Sequence, residues 1–168
     1  MKKLLFVGFI IGLVSCQQDK IGYIDNIELM EKYQEKLDIE AKYQAKTATF
    51  SKRRDSISQA FQLEAQAFQT KAQSMSQKKA QEEYELLQQR GQFMGQQLQQ
   101  QEQELQLEGR TEMDSLVSKV RKEIATYGKA QGYTYILGGG EGGSVLYGND
   151  ANDLTAEILK LLNEKHKK

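Results

Sequence analysis

Apolar residues in the middle of the chain recur at steps of three and four, the spacing of a helix that buries one narrow face. One seam at heptad spacing runs through Tyr43, Phe50 and Ile57 and continues through Phe61, Phe68 and Met75. A second runs through Tyr84, Leu87, Met94, Leu98 and Leu105 and is extended by Met113, Leu116, Val120, Ile124 and Tyr127. The chain contains no proline, and strand-forming residues lie at 21–25 and 133–137. We therefore predict one long helical region over residues 40–127.

This helical region is expected to fold back on itself, because the strands at its two ends would then meet in one small body. Symmetry places the turn near the middle, and residues 74–79 are polar, with two serines and two lysines. We predict the tip of an α-helical hairpin there. A competing turn lies at Gly91 and Gly95, since glycine is the stronger helix breaker.

The two predicted limbs carry opposite charge. Residues 40–80 hold eight basic and three acidic side chains, whereas residues 81–127 hold five basic and nine acidic ones. This favours an antiparallel hairpin, although chance drift in composition is the alternative. The whole chain balances 23 basic against 23 acidic residues, so its charge gives no reason to expect nucleic-acid binding.

A glutamine-rich segment, residues 88–106, has few strongly apolar positions. It is typical of a solvated helix with weak lateral packing, or alternatively of a disordered tract. The helix propensities of Gln and Glu favour the helix. Limbs of roughly 40 residues at ~1.5 Å rise predict an arm about 60 Å long.

The first sixteen residues have the pattern of an export signal. Lys2 and Lys3 precede an apolar run over 4–14, too short to span a membrane core of ~30 Å. The run ends in Leu-Val-Ser-Cys, which resembles a bacterial lipobox. We expect a signal peptide at 1–15, lipidation of Cys16 and a tether over 16–20. An ordinary signal peptide with an inert Cys16 is the alternative.

The C-terminal segment supplies the rest of the body, which we assign to residues 21–39 and 128–168. Residues 133–137, a glycine-rich turn at 138–143 and residues 144–147 together predict a β-hairpin. Leu154, Ile158, Leu161 and Leu162 form one apolar helical face, so a short amphipathic helix should cover that hairpin. The glycines do not form a nucleotide-binding loop, because no Lys-Ser or Lys-Thr follows them.

Catalytic and ligand-binding chemistry has little basis in this sequence. His166, the single histidine, lies in a basic C-terminal tail, and Cys16 is assigned to the lipid. We therefore expect no enzyme activity, no cofactor and no metal site.

The order of these parts resembles the Skp/OmpH family of periplasmic chaperones. The resemblance rests on Ile21-Gly22-Tyr23-Ile24-Asp25, the helical hairpin, Val145-Leu146-Tyr147 and the helix start at Asp153-Leu154-Thr155. It implies a mostly helical α+β fold and a homotrimer whose arms hang from a β-body as tentacles. It also implies ATP-independent holding of unfolded outer-membrane proteins in the periplasm. This chain differs from familiar members in being neutral and in carrying the lipobox.

Candidate contact residues follow from that expectation. Aromatic and Met side chains on the arm are the tentative client-binding residues: Phe50, Phe61, Phe68, Tyr84, Phe93 and Met94. The alternative is that they only close the hairpin seam. Five basic side chains are tentative contacts for acidic clients or lipid headgroups: Lys52, Arg53, Arg54, Lys78 and Lys79. The alternative is that they are solvated surface residues. A structural or adaptor lipoprotein of the cell envelope is the alternative function.

Overall fold

The structure is a computed structural model that describes residues 19–167. The predicted signal peptide and Cys16 lie outside the described residues. The elements in chain order are strand β1 (Ile21–Asp25), helices α1 (Asn26–Lys32), α2 (Gln34–Ala72) and α3 (Gln77–Ala130), strand β2 (Tyr135–Gly139), a short 3-10 helix (Asp150–Asn152) and helix α4 (Thr155–His166). The predicted fold class is confirmed: a small body with two strands carries a long helical hairpin.

The sheet differs from the predicted β-hairpin. Strands β1 and β2 pair in parallel, with Ile21 opposite Tyr135 and Asp25 opposite Gly139. The predicted second hairpin strand at 144–147 does not form, and Val145 makes only an isolated bridge to Gly139. The physical reason is that the whole helical arm acts as the crossover connection that parallel strands require. A loop rich in glycine, in contrast, specifies strand register weakly.

The arm turns at residues 73–76, which overlaps the predicted tip at 74–79. Ser76 caps α3, because its hydroxyl accepts a hydrogen bond from the Lys79 backbone N–H at 3.4 Å. Gly91 and Gly95 lie inside α3, so the competing turn is wrong. With 39 residues in α2 and 54 in α3, the helices are about 58 and 81 Å long at ~1.5 Å per residue.

The fully buried apolar side chains gather in the body and at the root of the arm. They are Ile24, Leu29, Tyr33, Ile39, Leu116, Val120, Tyr127, Leu154, Ile158 and Leu162. Helix α4 is held in place by Asp153, whose carboxylate accepts the Thr155 N–H at 2.8 Å, while the Thr155 hydroxyl accepts the Asp25 N–H at 2.9 Å. The C-terminal helix forms, and it packs on α1, α2, α3 and β1 rather than on a hairpin.

A polar clasp ties the end of α4 to the root of the arm. His166 is the last residue of α4, and its Nε2 lies 2.7 Å from Asp38 Oδ2 on α2. Lys119 of α3 bonds Glu35 of α2 at 2.6 Å. His166, which the sequence placed in a basic C-terminal tail, is therefore the last residue of a packed helix. The side chains of α2, α3 and α4 fix the direction in which the arm leaves the body.

Candidate functional site in the helical arm

The arm holds together through a thin seam. Between residues 40 and 115 no side chain is fully buried, although both helices are continuous. Tyr84, the first residue of the second predicted seam, is exposed and does not belong to it. The half-buried apolar positions of the two helices follow the predicted heptads: Tyr43, Phe50, Ile57, Phe61 and Phe68 on α2, and Leu87, Met94, Leu98, Leu105 and Met113 on α3. A pair of helices with one seam leaves most of its surface in water, so much apolar area stays available for binding.

Two glycines of α3 make room for aromatic rings of α2. A Cβ added at Gly91 would lie 2.7 Å from Cζ of Phe61, and one added at Gly109 would lie 3.2 Å from Cδ1 of Tyr43. Nothing lies within 4 Å of the equivalent point at Gly95. Gly91 therefore serves close packing rather than chain reversal, which is the physical reason that a strong helix breaker is tolerated in mid-helix.

The tentative client-binding residues divide into two groups. Phe50, Phe61, Phe68 and Met94 are half-buried in the seam, whereas Tyr84 and Phe93 are exposed. The Phe68 and Tyr84 rings stack with their centroids 6.1 Å apart, close to the tip. The first group thus stabilises the hairpin itself, while Phe93 presents its ring to solvent.

Sequence reasoning missed three exposed leucines of the arm, Leu63, Leu86 and Leu107. None belongs to the seam heptads, so a search for core positions passed over them. Spacing is the sequence signal that could have revealed Leu86 and Leu107, because they stand seven and fourteen residues from Phe93.

Ion pairs join the two limbs in the half of the arm nearest the body. Lys42 bonds Glu112 and Lys46 bonds Glu108, each at 2.7 Å. Hydrogen bonds from Lys42 and from the Tyr43 hydroxyl lower the pKa of Glu112 below its usual value. These pairs match the predicted charge pattern, with basic groups on the outgoing limb.

Nearer the tip the basic residue of the ion pair lies on α3 and the acidic residue on α2. There Arg90 of α3 bonds Glu64 of α2. The two limbs are therefore complementary in charge at individual residue pairs as well as in their net charge. All these pairs are solvent-exposed, so each contributes about 0 to 1 kcal/mol to the hairpin.

The predicted basic contacts lie on the arm surface. Arg54 bonds Asp55 and Ser51 along its own helix. Lys78 and Lys79 at the tip lie 3.9 and 4.0 Å from acidic groups one turn ahead. Such long, exposed pairs hold the lysines weakly, and they leave both ammonium groups in water.

The described part of the chain offers neither a metal-binding cluster nor a membrane-spanning helix. Within residues 19–167, no grouping of His, Cys, Asp and Glu has the geometry of a metal site. No helix in that range is long and apolar enough to cross a bilayer.

Comparison with known proteins identifies the family. The sequence profile of the outer membrane protein (OmpH-like) family matches residues 20–162. A solved structure from Caulobacter crescentus CB15, assigned provisionally as an outer membrane chaperone (OmpH-like), superimposes with a TM-score of 0.76 at 15% identity. That match covers 88% of this chain and 85% of the other. A comparison with curated protein sequences found no match. Because the profile spans the body and the whole arm, the chain belongs to the OmpH-like outer membrane protein family.

Proposed function

We propose that this protein is a holding chaperone for unfolded outer-membrane proteins in the periplasm, acting without ATP and binding its clients in a cavity between helical arms. The observation that carries the proposal is the arm itself, in which no side chain between residues 40 and 115 is fully buried. Many partly exposed apolar positions spread along such an arm offer weak, repeated contacts. Contacts of that kind suit a client that has no structure and must later leave.

The arms of several copies would be brought together by the body. By the parallel register, Ile21, Tyr135 and Leu137 share one face of the sheet, and all three are exposed. Leu146 and Tyr147, in the loop after β2, are 98% and 88% exposed. Parallel sheets are normally covered on both faces, and two strands alone are marginally stable in water. We therefore propose that other copies of the chain cover this face, as a trimer by analogy with the resemblance described above.

A lipid on Cys16 would anchor the assembly at the end of the body opposite the arm tips. The Lys20 ammonium donates to the Gln131 carbonyl at 3.0 Å, and the Thr134 N–H donates to the Lys20 carbonyl at 2.8 Å. Gln131 and Thr134 follow the end of α3 that lies farthest from the turn at 73–76, so Lys20 lies beside that end. Residues 17–20 span at most ~14 Å. We propose that the body rests against the membrane while the arms project away from it.

Anchoring is tested separately from chaperone activity. Cys16→Ser is expected to move the protein from the membrane fraction to the soluble periplasmic fraction and to abolish incorporation of labelled fatty acid. Retention of the variant on membranes, together with no labelling of the wild type, would show that the lipid assignment is wrong.

Holding activity is tested with a urea-unfolded β-barrel outer-membrane protein diluted into buffer without nucleotide. The full chain, at a known oligomer concentration, is expected to delay the rise in light scattering in proportion to the amount added. No delay, combined with stable binding to one folded envelope protein, would favour an adaptor lipoprotein instead.

A further inference from the structure

One flank of the arm carries a second line of apolar side chains that the hairpin does not use. Leu86, Phe93 and Leu107 of α3 are 56%, 64% and 65% exposed, and their heptad spacing places them on one side of the helix. At ~1.5 Å per residue this outer stripe extends about 32 Å along the arm. The seam positions next to it face α2 and are half-buried, so the outer stripe is a separate surface.

Two of the three outer-stripe residues, Leu86 and Leu107, line open grooves between the two helices. Near the tip, Leu86 shares a groove of about 310 Å³ with Ala67 and Phe68 of α2. Nearer the body, Leu107 lines a groove of about 590 Å³ that also includes Lys46 and Glu108.

The groove beside Leu107 adjoins another of about 630 Å³, since Lys42, Lys46, Glu104 and Glu108 line both. Phe50 and Leu105 contribute apolar side chains to this wider space. Ala45 and Thr49 of α2 are too small to close it. The same flank therefore offers apolar contacts on α3 and room between the helices beside them.

The density of apolar residues argues against a folded partner or a second helix on this flank. The outer stripe provides one apolar residue per heptad at most, with Gln100 at the intervening position, whereas a coiled-coil seam needs two. Taking about 200 Å² for each large residue, the three exposed portions sum to roughly 370 Å². A stable interface buries about 1,200 Å² or more in total, near 800 Å² per partner in the standard case.

The charges around the grooves point to the class of occupant. Lys42, Lys46 and Arg53 approach from α2, while Glu104 and Glu108 approach from α3. Basic and acidic side chains beside an apolar surface together bind polypeptide segments in which apolar and polar residues alternate. Such a surface binds these segments whether their charged residues are basic or acidic. Strands of outer-membrane barrels have that alternation.

From this surface we infer that the flank formed by Leu86, Phe93 and Leu107 with its adjoining grooves is the track along which an unfolded outer-membrane protein binds, and that the α2 aromatics chiefly hold the hairpin. The inference rests on the proposed function and names the residues that perform it. Three anchoring side chains spread over about 32 Å hold an extended chain at several points without fixing one register.

The test compares a triple variant with a matched control. Leu86→Gln, Phe93→Gln and Leu107→Gln are combined in the full chain, because Gln preserves helix propensity. The control is Leu63→Gln, since Leu63 is 66% exposed but lies on α2 and lines none of the grooves described above. Binding of a urea-unfolded eight-stranded outer-membrane barrel is measured by fluorescence anisotropy. The triple variant is expected to raise Kd by about 10- to 100-fold, and the control by less than about 3-fold.

Two failures are distinguishable in this experiment. If the wild type does not bind the barrel at all, the proposed function is wrong. If the wild type binds and the triple variant binds equally well, or the control loses as much affinity, the outer stripe is not the track.

A second measurement covers the case in which the triple variant folds poorly. A photo-crosslinking phenylalanine analogue replaces Phe93 or, as the control, Leu63. Crosslinks to the barrel are expected at position 93 and at most weakly at 63. Equal yields at the two positions, or crosslinks from 93 only to another copy of this chain, would overturn the inference.

Discussion

The packing of Phe61 against Gly91 allows a sharp test of how the arm is held together. Gly91 and Gly95 lie one turn apart in α3, and the same substitution to alanine should have different effects at the two sites. At Gly95 a new Cβ meets no heavy atom within 4 Å. At Gly91 it would lie 2.7 Å from Phe61 Cζ, well inside van der Waals contact.

The expected magnitudes follow from helix propensity and from crowding. Alanine is better than glycine in a helix interior by about 1 kcal/mol, so Gly95→Ala should stabilise the arm by that amount. Gly91→Ala gains the same propensity but must displace the Phe61 ring by about 1 Å, and overpacking of this kind costs about 1–3 kcal/mol. The two variants should therefore differ by roughly 1–3 kcal/mol, with Gly91→Ala neutral or destabilising.

Thermal unfolding followed by circular dichroism at 222 nm is the suitable assay, at one protein concentration because the protein is proposed to be an oligomer. For a chain of this size the difference corresponds to about 2–12 °C in Tm. Phe61→Leu in the Gly91→Ala background is expected to relieve the crowding, so that the double variant unfolds at a higher temperature than additivity predicts. An equal rise in Tm for Gly91→Ala and Gly95→Ala would refute the assignment of Gly91 as a packing notch.

Three further outcomes are expected. Asp153→Ala removes the carboxylate that accepts the Thr155 N–H at the start of α4 and should destabilise the body by about 1 kcal/mol, measured as a lower urea midpoint; an unchanged midpoint would contradict that role. The pKa of Asp38 is held below its ordinary 3.8 by hydrogen bonds with Gln34 and His166. The stabilisation that Asp38 provides is therefore fully present above pH 3.8 and is lost as the pH falls below that value. Asp38→Asn should then reduce the drop in urea midpoint between pH 5 and pH 3. An equal drop in the variant would count against a stabilising contact between Asp38 and His166. Tyr147→Ser should lower the oligomer mass measured by light scattering while helix content is kept, and an unchanged mass would show that the exposed loop after β2 is not part of the interface.

The arm could be predicted from sequence because its determinants are local. Heptad spacing through Phe50, Phe61 and Leu105 marks the seam, and the polar segment near Ser74 marks the tip. These signals depend on helix periodicity, which acts over a few residues. The structure around the glycine-rich loop, in contrast, was predicted wrongly. Two runs of strand-forming residues around it predicted a local hairpin, whereas β2 pairs with β1 more than a hundred residues away.

The clasp at His166 shows why the polar contacts at the arm root were not predictable. Asp38 and His166 are separated by 128 residues, and their contact exists only because α4 packs beside α2. Nothing in the local sequence of either residue distinguishes it from a solvated surface group. Packing of the helices decides which exposed charges meet, so a prediction based on neighbours in sequence assigns such residues to the solvent.

The two-helix arm combines shape stability with exposed apolar surface for a geometric reason. A pair of helices has one line of contact, so further apolar side chains such as Phe93 have no place in an interior and must remain in water. The body and the clasp at Asp38 fix the root of the arm, and aromatic contacts such as Phe61 against Gly91 keep the limbs paired. The stability of the arm and its capacity to bind therefore rest on different side chains. Changes to the seam should lower Tm, whereas changes to the outer stripe should weaken client binding at nearly constant Tm, and a variant set in which the two quantities always fell together would contradict this separation.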